Sequence, residues 1–198
     1  MPRIVKAVGE LFTERREHIV ALLSALRSVR PLHCDVFKGP VGAGKAFYAH
    51  DGLGQQPTHR DYPFRLKGCL LDCKYFEIWR PVSPDAEDWF LTSVNLSVLR
   101  RNKEKPLLDE IVCVHCEPET IVPNPAGRHK RGPHLHVERA EYPLMRCHFP
   151  LCITNLDNVL HSPAAFDDAL AMFVETINDE VVDRYRKQDG TCPSDATG

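Results

Sequence analysis

Trp89-Phe-Leu-Thr-Ser-Val-Asn-Leu-Ser-Val-Leu99 is the stretch on which the fold turns. It is long and apolar enough for a buried strand. Strand-like segments lie on both sides of it. Leu66 to Trp79 holds two apolar stretches, Cys69-Leu-Leu71 and Tyr75-Phe-Glu-Ile-Trp79, and Asp72-Cys-Lys74 between them reads as a hairpin turn. Glu110 to His115 is a further strand, and Gly132 to Arg139 another. Prolines at 81, 84, 106, 118, 123, 125 and 133 break up the intervening loops.

Helical spacing appears only at the two ends. Leu11, Ile19, Leu22, Leu23, Leu26 and Val29 keep a helical period over 10–29, and Pro31 stops it. Leu32 to Phe37 and Ala46 to Ala49 then read as a strand and its return. Residues 51–63 form a loop. Near the other end, Ser162-Pro163 is an N-cap followed by proline at the first helical position. Phe166, Leu170, Phe173, Ile177 and Val181 recur at three and four, so this helix runs to about Arg186. The expected fold is α+β: a mostly antiparallel sheet flanked by an N-terminal and a long C-terminal helix. Residues 1–188 form one domain and 189–198 a flexible tail.

The charge is uneven. Between Leu99 and His148 there are 9 Lys and Arg, 7 Asp and Glu, and five histidines; from Ile153 onward 9 acids face 3 bases. This suits an anionic ligand near the centre or, equally, an unevenly solvated surface. No apolar run approaches the roughly 18 residues of a membrane span. The N-terminus lacks a signal-peptide pattern. A cytoplasmic chain is expected, with its eight cysteines mostly thiols or metal ligands.

The chemistry concentrates in Gly132-Pro-His-Leu-His-Val137, directly after Arg128-His-Lys-Arg131. In an extended segment His134 and His136 share one face, roughly 6.5–7 Å apart at the backbone. Histidine titrates near neutrality, so one ring can take a proton while another gives one. Metal-free RNA cleavage needs that pair of roles, plus cations on the phosphate. Arg128, Lys130 and Arg131 supply cations, Glu117 can orient a histidine, and Arg100 opens a second basic run, Arg100-Arg101-Asn-Lys-Glu-Lys105. A polar strand face would use the same histidines without catalysis.

Two rival motifs stand beside this one. Cys113-Val-His-Cys116 with Cys147-His-Phe-Pro-Leu-Cys152 has the spacing of a zinc site, alone or with His115 or His148. If residues 111–115 are a strand, however, Cys113 and Cys116 face opposite sides. Gly39-Pro-Val-Gly-Ala-Gly-Lys45 looks like a phosphate-binding loop, but Ala46 offers no hydroxyl and no helix pattern follows, so a glycine hairpin turn is the better reading.

The order of features from 66 to 182 resembles the TumE-like toxins of bacterial toxin–antitoxin operons. The resemblance is carried by Tyr75-Phe-Glu-Ile-Trp-Arg80, by His115-Cys-Glu-Pro-Glu119, by Gly132-Pro-His-Leu-His-Val137 and by a closing helix. The chain departs from the family in a sparser histidine cluster and in an N-terminal 60 residues without counterpart. The resemblance implies a growth-inhibiting or defence-type protein acting on RNA and held by a cognate protein partner. Three readings stay open: a metal-independent ribonuclease, a non-enzymatic interaction module of a larger complex, with or without a structural zinc site, and a metal-dependent hydrolase.

Overall fold

The computed structural model describes residues 5–38, 44–52, 63–101, 108–116, 134–137, 147–150 and 163–188, with the backbone alone for 134–137 and 147–150. Residues 189–198, expected as a tail, lie outside it. In chain order the elements are β1 (Val5–Ala7), α1 (Val8–Leu23, continued by one 3₁₀ turn, Ser24–Leu26), β2 (His33–Lys38), β3 (Lys45–His50), β4 (Pro63–Arg65), β5 (Leu71–Pro81), β6 (Asp88–Arg101), β7 (Leu108–Cys116), β8 (His134–Val137), β9 (Cys147–Pro150), α2 (Pro163–Ile177) and α3 (Asp183–Gln188). A π turn, Asn178–Val182, joins the last two helices.

The expected α+β class is what the chain adopts. One antiparallel sheet runs β2-β3-β5-β6-β7-β8-β9; β1 pairs with β6, and β4 with β5. The Trp89–Leu99 stretch becomes β6, at the centre. Its alternate residues Val94, Leu96 and Val98 are buried with Val112, Val114 and Cys116 of β7 and with Leu71, Cys73, Tyr75 and Trp79 of β5. Against this face pack Leu11, Ile19 and Leu23 of α1 and Phe166, Leu170, Phe173 and Ile177 of α2. Burying each such side chain contributes about 1.5–3 kcal/mol, so the helices are held by this stripe rather than by propensity. The second sheet face carries a smaller aromatic cluster, Phe37, Tyr48 and Phe76, with Ala46 and Ile78.

Several local expectations need correction. Asp72-Cys-Lys74 is not a turn but the start of β5, because Leu71, Cys73, Tyr75, Glu77 and Trp79 alternate inward along one strand. The reversal lies earlier, where Leu66 N–H donates to Leu71 O (3.1 Å) around Gly68 at φ +79°. That left-handed backbone suits glycine. The first helix stops before Pro31: Arg27 turns left-handed at φ 51°, its N–H donates to Ser24 O, and Val29 is 54% exposed. The hairpin reading of the glycine segment, by contrast, agrees with the pairing on either side of it: Lys45 opens strand β3 opposite Lys38 of the antiparallel β2, while residues 39–43 lie outside the described residues. No helix N-terminus follows to hold phosphates.

Candidate functional site

The register of β6, β7, β8 and β9 builds a polar patch on the face away from the helices. Side chains alternate along a strand, and residues opposite one another across antiparallel strands share a face. His115 of β7 lies opposite Asn95 of β6 and opposite His134 of β8. Cys113 lies opposite Ser97 and His136. His148 of β9 is opposite His136 in turn. Cys113, His115, His134, His136 and His148 therefore occupy one face of three neighbouring strands. Directly opposed positions bring Cβ atoms to about 4.5–5.5 Å.

The β6 side of the patch is ordered by hydrogen bonds. Ser97 Oγ donates to Asn95 Oδ1 (2.9 Å), which turns the Asn95 amide so that Nδ2 donates to Cys113 Sγ (2.9 Å). His115 Nε2 lies 3.5 Å from Ser93 Oγ. On the same face, beyond Asn95, lie Phe76 and Tyr48, with ring centroids 5.8 Å apart, and Lys74 Nζ 6.0 Å from the Phe76 ring. Ile78 and Arg80 extend the row; the buried Arg80 Nε has no hydrogen-bond partner among the described residues. The patch thus grades from imidazoles, through amide and hydroxyl groups, to aromatic rings with two cations.

The other expected site residues are distributed as follows. Arg100 is exposed on β6 opposite Asp109, while its neighbour Arg101 is held by Asp72 through both carboxylate oxygens. Cys113 and Cys116 stand on opposite faces of β7, with Cys116 buried in the core, so the structure does not bring this pair together. Cys147 sits on β9 opposite Val137, by register on the Cys116 face but four residues further along. Glu117, Arg128, Lys130, Arg131 and Cys152 lie outside the described residues. Among side chains that are described, no three of His, Cys, Asp and Glu gather for a metal ion; β8 and β9 enter by register alone.

Two further polar clusters compete for attention, and each is already occupied internally. In the core, Glu77 accepts from Arg15 Nε (2.9 Å), Arg15 Nη2 (2.5 Å), Trp79 Nε1 (2.8 Å) and the Tyr75 hydroxyl. Arg15 Nη1 also donates to Asp167 Oδ1 of α2 (2.5 Å). Burial alone would push the Glu77 carboxyl up. The charge and hydrogen bonds of Arg15, with those of Tyr75 and Trp79, outweigh it and hold the carboxyl below its ordinary value. Every acceptor direction of this carboxylate is used, so it clamps α1 and α2 to the sheet. Trp79, fully buried, is likewise unavailable for stacking on a ligand.

The second cluster lies in an open groove of about 840 Å³ between α1 and the β2 edge, lined by Arg16, Glu17, His33, Asp35 and His50. Gly52 N–H donates to His50 Nδ1 (3.1 Å), which puts the ring proton on Nε2, 3.0 Å from Asp35 Oδ2. Both ring nitrogens are engaged. The pair braces the β2–β3 hairpin and leaves no lone pair for a substrate proton.

Comparison with known proteins gives no relative: no family model, no curated protein and no solved structure matches the chain. Among the described residues no helix is long and apolar enough to cross a membrane.

The histidine pair of β8 was legible from its alternation. The contributions of His115 and His148 to the same face were not, because strand pairing is tertiary. One signal was nevertheless present: Cys113-Val-His115 has the same period as His134-Leu-His136, and adjacent strands with matched periods stack their polar residues.

Proposed function

We propose that the chain is a toxin- or defence-type protein that cleaves RNA without a metal, using His134 and His136 as general base and acid. The observation that supports this most strongly is the register-defined set of four histidines on one sheet face. Catalysis of this kind needs two imidazoles within reach of a single phosphodiester, and neighbouring positions of one strand face provide that spacing.

One imidazole removes the proton from a ribose 2′-hydroxyl. The 2′-oxygen bonds to phosphorus, the bond from phosphorus to the 5′-oxygen breaks, and the second imidazole protonates that leaving oxygen. The products are a 2′,3′-cyclic phosphate and a free 5′-hydroxyl, so no water or metal is consumed. Arg128, Lys130 and Arg131, which precede β8 in sequence, neutralise the phosphate as charge builds. Glu117, next after β7, orients a histidine. Phe76 on the same face, half-buried, provides ring surface beside Lys74 and Arg80, the combination on which single-stranded bases settle. A growth-inhibiting nuclease of this type requires a cognate protein that restrains it.

The test is labelled single-stranded RNA incubated with purified protein in excess chelator. Cleavage is expected to leave cyclic phosphate ends. His134→Ala and His136→Ala are each expected to slow it by about 10²–10⁴-fold. Undiminished cleavage in both variants contradicts the proposal.

A further inference from the structure

Arg15, Arg101 and Arg186 each meet a carboxylate. Arg80 of β5 is half-buried, and its buried Nε has no hydrogen-bond partner among the described residues. A guanidinium stays charged in a protein, so it cannot relieve this by losing its proton. A buried donor left unmade costs the folded chain its desolvation, and an anion that accepts from it offsets that cost.

The register places two more polar groups beside it. Ile78 lies opposite Ser93; the pairing then shifts by one residue, so that Arg80 lies opposite Phe90. Thr92 is the extra residue of this bulge, and its hydroxyl donates to Ile78 O (2.9 Å). Bulges of this kind re-aim neighbouring side chains. Ser93 is then one diagonal from Arg80, a separation of about 7–8 Å that a long side chain spans. On the β7 side of Ser93, His115 Nε2 lies 3.5 Å from Ser93 Oγ, longer than the roughly 2.7–3.2 Å of a closed hydrogen bond. With a proton on Nε2, both groups can donate to one oxygen placed about 2.8 Å from each. Ser93 and His115 are half-buried, as Arg80 is.

We propose that Arg80, Ser93 and His115 form a subsite for one backbone phosphate of single-stranded RNA, a ligand assignment that rests on the ribonuclease reading. A carboxylate is planar and is satisfied by a single guanidinium fork. Three donors on three strands suit the spread of phosphate oxygens better. Phe76 stands on the same row of β5, with Lys74 Nζ 6.0 Å from its ring, and gives an adjoining base a surface. The subsite spans β5 to β7, whereas His134 and His136 are on β8, so it grips a phosphate next to the one cleaved. Arg80 is therefore a positioning residue.

The experiment reads binding apart from cleavage. It is fluorescence anisotropy of a labelled 2′-O-methyl oligonucleotide, which lacks the attacking hydroxyl, on the full-length protein across salt concentrations. Arg80→Gln is expected to weaken binding by about 10–100-fold. It should also reduce the slope of log affinity against log salt by about 0.7, the share of one phosphate on a single strand. Arg80→Lys recovers the slope but binds more weakly than the unmodified protein, because it keeps the charge and loses the fork. Ser93→Ala weakens binding by about 2–10-fold with the slope unchanged. Arg184→Gln, exposed on α3, binds as the unmodified protein does. Arg80→Met keeps the apolar stem and removes the orphaned donor, so its urea midpoint should be no lower than that of the unmodified protein.

Absence of saturable binding overturns the subsite, as does unchanged affinity and slope in folded Arg80→Gln. A lowered urea midpoint in Arg80→Met makes the arginine a packing residue and does the same. Polyglutamate that displaces the oligonucleotide as readily as polyphosphate of equal length assigns a carboxylate ligand, which also overturns it. Cleavage is scored on unmodified RNA, where Arg80→Gln is expected to raise KM more than it lowers kcat. Cleavage with binding indifferent to Arg80 defeats the subsite and spares the ribonuclease. Binding that depends on Arg80 without any cleavage keeps the subsite and defeats the ribonuclease.

Discussion

At the scale of single residues, Glu77 is the group on which most depends. It is fully buried, and its charge is tolerated because Arg15 meets it with two donors while Tyr75 and Trp79 fill the remaining acceptor directions. Removing one member of a buried pair typically costs about 3–5 kcal/mol, because the other is left uncompensated. Glu77→Gln is expected to lose stability in that range, measured by urea unfolding at neutral pH. The carboxyl is held below its unfolded value. Its contribution is therefore complete above the unfolded carboxylate pKa of about 4.3, and is lost as pH falls through the lower folded value. The acid limb of the stability profile should be shallower in Glu77→Gln than in the unmodified protein.

Cys34 gives a second expectation at this scale. Burial, reinforced by the charge of Glu77, pushes its thiol up to about 12. Burial likewise raises the fully buried Cys73. The thiolate is the reactive form, so both should resist iodoacetamide at pH 8 in the folded protein and react in urea. Peptide mapping after alkylation checks this; rapid native labelling of Cys34 would contradict the packing described.

At the scale of elements, the strands and the closing helix follow from local pattern wherever that pattern is apolar. The α2 stripe of Phe166, Leu170, Phe173 and Ile177 was readable because its apolar residues recur at three and four along the helix and all of them are buried. Phe166→Ala should cost about 3–5 kcal/mol, read as a lower urea midpoint with an unchanged slope. β5 was harder to read. Asp72 and Lys74 look like turn residues, and what makes Asp72 acceptable in a strand is Arg101, 29 residues away. The strand β9 was hidden because Cys147 and His148 invite a metal reading while Phe149-Pro150 suggests a break. Its place beside β8 depends on pairing, which the local pattern does not contain.

At the scale of the whole molecule, the division of labour is between two faces of one sheet. The helix-covered face holds the core and the Arg15–Glu77 clamp. The other holds Cys113 and the four histidines, with aromatic rings and cations toward β3 and β5. Half of this plan was legible beforehand: the class, the flanking helices and the alternation of His134 with His136. The gathering of His115 and His148 beside them was not, because it is a property of strand order. Hydrogen exchange should reflect the same plan, with the slowest amides in β5 and β6 at the sheet centre and faster ones at the β2 edge.

The central claim is that the histidine face cleaves RNA, and the most direct measurement is the cleavage rate of labelled single-stranded RNA in excess chelator across pH. The account predicts a bell-shaped profile, cyclic phosphate products, and a fall of about 10²–10⁴-fold in His134→Ala and in His136→Ala. No cleavage by the folded protein, or cleavage at full rate in both variants, would contradict it.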